Sequence, residues 1–340
     1  MTVWIRQLGH GFAGQVMGVD CRKPLSSGDV AAIHAGMNDY AVLVFRDQKL
    51  SDEEQLRFTL HFGTLEETHG GTPGPIHFRT EHEVRKLGAS IKDFSNIDAS
   101  GKPLATDSRA YLFKLADQLW HSDSSFNAVP ASYSLLSGRS VPSWGGNTEF
   151  ADMRAAYDAL DERLKHKIED LVCLHSNMYS RGKLGLTDFT DEERIAFKPV
   201  RQRLVRRHPV TGRKSLFLPA HAGEIEGMSI PEGRMLLLDL TEFATREQFV
   251  YSHRWRVNDF VMWTTVRQCI ADGGSIRTRH AISGRLGLRE TARPSPRLVP
   301  KFSRSRPSCS AWALPSRAPP SVATWRARVY LLQPRGCEET

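Results

Sequence analysis

Helix and strand periods run along this 340-residue chain as far as Trp263 and stop there. Beyond it, residues 264–340 hold eight of the eighteen prolines, with thirteen arginines and one lysine set against four acids, Asp272, Glu290, Glu338 and Glu339. No apolar repeat of two or of 3.6 residues survives there. Such a composition cannot bury enough surface to offset the entropy of ordering the chain, so residues 264–340 are expected to form a disordered basic tail. Folding then falls to residues 1–263, enough for one domain with a real core.

The same boundary explains the charge. Of 46 basic and 38 acidic side chains, a formal +8, the tail's fourteen bases and four acids account for +10. The 32 bases and 34 acids that remain leave the body at −2, with no field to gather a phosphate backbone. The basic stretch "KFSRSRPS" at 301–308 lacks regularly interleaved aromatics, so no nucleic-acid partner is expected. The sequence has no run of eighteen apolar residues, and Met1–Arg6 has no leader pattern, so a cytoplasmic protein without a membrane partner is expected. None of the five cysteines stands at CxxC spacing, which argues against a structural zinc or a disulfide framework. Nothing in these totals opposes a homo-oligomer.

Within the body, Ser51-Asp52-Glu53-Glu54 reads as a capping box opening a helix whose apolar side is Leu56, Leu60 and Phe62, ended by Gly63. Residues 40–45 read as a buried strand, and residues 64–110 as a long mobile excursion of the kind that covers sites. Asp152 and Asp161 are placed to cap successive helices, with Leu164, Ile168, Leu171 and Val172 facing a core. Thr211-Gly212 marks a hairpin, a helical segment follows over 231–249, and "FVYSHRWRVNDFVMW" gives two strands joined at 257–259. Many short strands with helices between them predict a mainly β, barrel-like jelly roll.

The chemistry-bearing stretch is "YLFKLADQLWHSDSSF" at 111–126, where His121 and Asp123 stand two apart. Taken alone, such a pair is more often a surface pair or a satisfied core histidine. On a strand, positions i and i+2 point the same way, so the two could offer an imidazole and a carboxylate to one ion. A distant histidine would complete the facial triad of a non-haem Fe(II) oxygenase.

Four ordered stretches, "LWHSDSSF", "GGNTEFADMRAAYDAL" at 145–160, "HPVTGRKSLFL" at 208–218 and "RVNDFVMW" at 256–263, resemble the taurine dioxygenase and 2,4-dichlorophenoxyacetate dioxygenase family. The likeness leans to the alpha-type 2,4-dichlorophenoxyacetate branch and covers residues 1 to about 263. It implies a double-stranded β-helix, a cofactor Fe(II), the cosubstrates 2-oxoglutarate and O2, and hydroxylation of a small carboxylate such as an aryloxyacetate with release of succinate. His121 and Asp123 take the first two metal-ligand roles by this match, and Thr148 the hydroxyl contact to 2-oxoglutarate. Without the resemblance, Thr148 would read as a loop hydroxyl. Arg213 and Lys214 read as solvated hairpin residues, and His253 as packing beside Tyr251 and Trp255.

The family pattern breaks after Trp263. Family members continue with Asp-Asn-Arg and then Met-His-Arg, whose histidine is the third ligand, whereas this chain reads "TTVRQCIADGG" and places Ile270 at that position. Everything departs at once, as a shift of reading frame requires. Trp is TGG and Thr is ACN, so a frame moved by one base forces Asp at 264, admits Asn and Arg next, and allows only Tyr or His at 270. The shifted text can spell W-D-N-R-x-A-M-H-R. Residues 264–340 are therefore read as an out-of-frame tail, the jelly roll as incomplete at its C-terminal strands, and activity as lost with the third ligand. His280, ten residues beyond Ile270, is an unlikely substitute in a segment of this composition.

Overall fold

The computed structural model describes residues 2–9, 11–66, 92–95, 102–143, 145–218, 220–265, 268–272 and 326–333. Strands are β1 (Trp4–Leu8), β2 (Ala13–Met17), β3 (Val42–Phe45), β4 (Thr64–Leu65), β5 (Lys92–Ser95), β6 (Tyr133–Ser140), β7 (Thr148–Asp152) and β8 (Val172–His175). They continue as β9 (Val200–Arg203), β10 (Val205–Arg207), β11 (Lys214–Leu216), β12 (Ala222–Ile225), β13 (Val250–His253), β14 (Phe260–Thr264), β15 (Gln268–Asp272) and β16 (Arg326–Gln333). The major sheet runs β1-β2-β3-β14-β6-β16-β4, with β5 also pairing β16. Smaller sheets are β13-β7-β15, β12-β8-β9 and the hairpin β10-β11. The result is a sheet-rich jelly roll with inserted helices, and its described sheets do not close into a barrel.

Local chemistry sets the elements. Ser51 and Glu54 form the expected reciprocal cap of the helix Asp52–Leu60. Asp152 and Asp161 cap the helices Met153–Asp158 and Glu162–Ile168. Gly212, at φ +68°, turns the β10-β11 hairpin. The helix expected over 231–249 is Ile230–Ala244, opened by Ser229 and followed by a 3-10 turn at Glu247–Phe249. The buried strand β3 begins at Val42, because Ala41 is the left-handed C-cap of the preceding helix Ser27–Tyr40.

Two expectations change. The helix at 52–60 turns Leu56 half-buried against the core and Phe62 into it, but Leu60 is 46% exposed, and the fully buried positions of the helix are Gln55, Phe58 and Thr59. Gln55 is tolerated there because its side-chain amide reaches the Leu135 carbonyl at 3.5 Å and accepts from Ser137 Oγ at 2.8 Å. The helix carrying Leu164 ends at Ile168, so Val172 lies in β8. The two strands expected on either side of 257–259 form, and they enter different sheets: β13 joins β7, while β14 inserts between β3 and β6 in the major sheet.

The expected disorder after Trp263 also meets strands at two places. β15 covers β7 and β16 covers β6, so neither edge is open as an incomplete roll predicts. The reason for β16 is local: "RARVYLLQ" is a β-favouring run, and its Leu332 is fully buried in the core with Leu135, Phe260 and Met262. Thr264 and Thr265 are buried as well, their amides donating to the Ala41 and Ser132 carbonyls at 3.0 and 3.1 Å. His280, and most of the excursion at 64–110, lie outside the described residues.

The core at the roll's centre joins the two main sheets. Trp263 of β14 meets Phe150 of β7 edge-on, with ring centroids 5.5 Å apart, and Trp255, Val261 and Leu136 fill the same cluster. This contact puts one end of the major sheet against the residues discussed next.

Candidate metal centre

His121 and Asp123 do converge, but not by strand alternation. His121 makes an isolated bridge, and residues 123–126 form a turn in which Ser124 takes φ +53°. The serines that follow the histidine explain how such a turn holds. Ser124 Oγ donates to Glu66 Oε1 at 2.6 Å and accepts from the Ala131 amide at 2.8 Å, while Ser122 Oγ donates to the Leu218 carbonyl at 3.1 Å. Gln202 donates to the carbonyls of Ser125 and Asn127 at 3.1 and 2.7 Å. The loop is thus fastened on several sides, which offsets the strain of one left-handed residue.

The outer atoms of both side chains are committed. His121 Nδ1 lies 2.8 Å from the Leu119 carbonyl, which makes Nδ1 the donor and turns Nε2 inward. Asp123 Oδ2 accepts from Ser134 Oγ at 2.6 Å and from the Trp263 indole N–H at 3.1 Å. What remains is His121 Nε2 and Asp123 Oδ1, 3.4 Å apart. Two neighbouring donors on one ion, with bonds of about 2.1 Å, lie about 3 Å apart, so the pair has the geometry of adjacent ligands.

Their ionisation fits a tight pair. Burial works against charge on His121, but the Asp123 carboxylate outweighs it and raises the imidazole to about 9. Burial likewise opposes ionised Asp123, and the bonds from His121, Ser134 and Trp263 reverse that and lower it.

Among the described residues, no group of three or more His, Cys, Asp or Glu side chains could hold a metal ion. Ile270 stands in β15 directly opposite Phe150 of β7, the residue whose ring meets Trp263. Isoleucine has no donor atom. Among the described residues no facial triad is complete. Thr148 begins β7 on the face it shares with Phe150, is 2% exposed, and accepts from Trp255 Nε1 at 2.9 Å.

Several neighbours escaped the sequence reading. His221 packs edge-on to His121 at 5.7 Å and to Phe126 at 5.0 Å between ring centroids. Next to it in the β12-β8 pairing, His175 stacks on Phe217 at 5.4 Å. Both rings are buried, and His221 Nδ1 and both nitrogens of His175 have no hydrogen-bond partner. Burial, reinforced by nearby cations including Arg181 for His221 and Arg206 for His175, keeps both neutral, with His175 pushed down to about 3. Arg181 itself is buried, bound to Asn177, Ser180 and Asp117 at 3.0, 2.8 and 3.3 Å. No local motif announces these residues, because strand pairing at long range brings them together.

Arg213 pairs with Asp158 and Lys214 with Glu169 at the surface. His253 is fully buried against Trp255 at 4.6 Å, near Asp259 and Tyr251.

Sheets of this topology, with an inward His-x-Asp pair, define a class of jelly-roll proteins to which the oxygenases belong. Residues 4–267 match the taurine catabolism dioxygenase TauD, TfdA family, and the chain belongs to it. It is 43% identical over 289 residues to an alpha-ketoglutarate-dependent 2,4-dichlorophenoxyacetate dioxygenase of Cupriavidus pinatubonensis, covering 85% of this chain and 96% of the relative. With an (S)-phenoxypropionate/alpha-ketoglutarate-dioxygenase of Sphingobium herbicidovorans the identity is 39%, over 68% of this chain and 76% of the relative. Among solved structures, AAD-2 in complex with Mn(II) and N-oxalylglycine superposes with a TM-score of 0.76 at 44% identity, covering all of this chain and 99% of the other. A taurine dioxygenase of Burkholderia xenovorans, at 19% identity and a TM-score of 0.66 over 98% of this chain and 90% of the other, shares the fold.

Proposed function

We propose that this chain is an Fe(II)/2-oxoglutarate-dependent dioxygenase by construction, built to hydroxylate a small aryloxyalkanoate of the 2,4-dichlorophenoxyacetate kind. The observation that carries the reading is the aimed pair: His121 Nε2 and Asp123 Oδ1 at 3.4 Å with every outer atom engaged. Thr148 is assigned the contact to the 2-oxoglutarate carboxylate, with O2 as the other cosubstrate. Beside the pair, the Phe126 ring packs edge-on to His221, an apolar face suited to an aryl ring. The buried free thiols Cys21 and Cys173 accord with a cytoplasmic setting. Purified chain given Fe(II), 2-oxoglutarate, air and 2,4-dichlorophenoxyacetate is expected to release little or no succinate, while a chain whose reading frame is restored after codon 263 releases succinate and the matching phenol in equal amounts. A frame-restored chain whose succinate never exceeds a metal-free control overturns the reading.

A second reading is favoured by Ile270 and by the codon pattern around it. In that reading residues 264–340 are the out-of-frame product of one lost base, and the chain is a catalytically silent form of such an enzyme. Sequencing across codon 263 separates the two, because a gene whose shifted frame fails to spell the family motif removes the second.

A further inference from the structure

We infer that Glu66 is a positioning residue for the His121–Asp123 pair: its carboxylate closes the turn that follows Asp123 and ties that turn to the end of β4. The inference rests on the metal-binding reading of the pair above and adds to it a residue that touches neither side chain.

A single oxygen closes the turn. Glu66 Oε1 accepts from Ser124 Oγ at 2.6 Å and from Asn127 Nδ2 at 2.8 Å, while the Asn127 amide donates to the Ser124 carbonyl at 2.9 Å. Both ends of the turn therefore meet on one acceptor. Ser124 Oγ also accepts from the Ala131 amide at 2.8 Å, which leaves its one proton for Glu66. The Ser124 hydroxyl thus joins three segments, the end of β4, the turn itself and the approach to β6. Glu66 and Ser124 are both buried, so no solvent oxygen stands ready to replace the carboxylate. Both partners are neutral, and what the turn requires at position 66 is an acceptor oxygen more than a charge.

The turn needs such a clamp because Ser124 holds φ +53°, a conformation that persists in a non-glycine residue only where its surroundings impose it. The residue before it is Asp123, whose Oδ1 stands 3.4 Å from His121 Nε2. A turn that relaxed to negative φ would re-aim the aspartate against the histidine. Glu66 is itself placed by the sheet: Leu65 of β4 lies opposite Leu332 of β16 and packs on the core that Leu332 enters. The clamp therefore passes the position of the major sheet's β4 edge to the turn beside the pair.

The test uses Mn(II) as the probe on the full chain, with affinity read by electron paramagnetic resonance under conditions where urea titration shows each variant fully folded. Glu66→Met removes both bonds at similar side-chain length and should bind Mn(II) about tenfold more weakly. Glu66→Gln keeps an oxygen within reach of both donors and should stay within about twofold of the parent. Ser124→Gly adopts positive φ without strain but lacks the hydroxyl, so Glu66→Met should cost clearly less affinity in that background than it does alone. A folded Glu66→Met chain with parental affinity overturns the inference, as does a Glu66→Gln chain as weak as Glu66→Met, or a double variant whose losses simply add. If Glu66→Met does not fold, Asn127→Leu removes the second bond alone and should give a smaller loss; parental affinity there overturns the inference equally. His121→Ala separates the two levels: if it leaves Mn(II) binding unchanged, the metal reading itself fails; if it abolishes binding while Glu66→Met changes nothing, only the role of Glu66 fails.

Discussion

The loop carrying His121 and Asp123 and the histidine pair behind it lie side by side, yet they are built in opposite ways. In the first, each outward polar atom has a partner, and the charged forms are favoured. In the second, His175 and His221 are buried neutral, with three ring nitrogens unpartnered. Unmade hydrogen bonds in the interior cost about 1–3 kcal/mol each, so a protein keeps them where a ligand or water will make them. The difference teaches that the His121–Asp123 side is held by bonds within the fold, while the neighbouring side keeps ring nitrogens that the described residues do not satisfy. The two also belong to different sheets: Ser134 and Trp263 sit in the major sheet, His175 in the three-stranded β12-β8-β9.

That separation can be broken most strongly from the far end of the chain. β16 runs beside β6, with Leu331 opposite Ser134, and Leu332 is fully buried between them and the core. Leu332→Ala is expected to cost about 2–5 kcal/mol in urea unfolding. Hydrogen exchange should quicken in β6 and around Asp123 first, with β8 and β12 following only on global unfolding. If the change is silent, β16 is not part of the core and the tail is unstructured after all.

A smaller effect is confined to the metal side. Trp263→Phe removes the indole donor from Asp123 Oδ2 but keeps a ring against Phe150. Mn(II) affinity should fall about tenfold, the usual scale for a partner of a ligand, with little change in stability. Equal loss in stability and affinity would mean that Trp263 acts through packing alone.

How much of this was legible follows from the range of the interactions. Ser51, Asp152, Asp161 and Gly212 act on residues within a few positions, and their roles read directly from the sequence. The His-x-Asp pair was legible from spacing and resemblance, though its convergence comes from a bridge and a left-handed Ser124, not from a strand face. Gln55 on the buried side of its helix was not, since its partners Leu135 and Ser137 are about eighty positions away. His221 and His175 were missed for the same reason, forty-six positions separating two rings that β8 and β12 bring together. The strand at 326–333 was missed because its composition was averaged with the prolines and arginines before it.

The third predicted effect sharpens the contrast through pH. His175 is pushed down to about 3 when folded, from an ordinary value of 6.5. A depressed histidine binds fewer protons folded than unfolded once the pH drops below 6.5, so its share of stability is whole above that value and is lost as the pH falls toward 3. His121, raised to about 9, is protonated in both states below 6.5 and adds no slope in that window. The metal-free chain should therefore weaken by about 1.4 kcal/mol per pH unit for each neutral buried histidine on acidification below 6.5. His221, held well below its ordinary value by the same burial, acts in the same sense. Urea titrations at pH 6.5 and 5.5 measure the slope, and His175→Leu should roughly halve it, since one of the two rings is gone. A slope that ignores the substitution would mean that His175 is protonated and partnered in the folded chain, and the two sides would then be built alike.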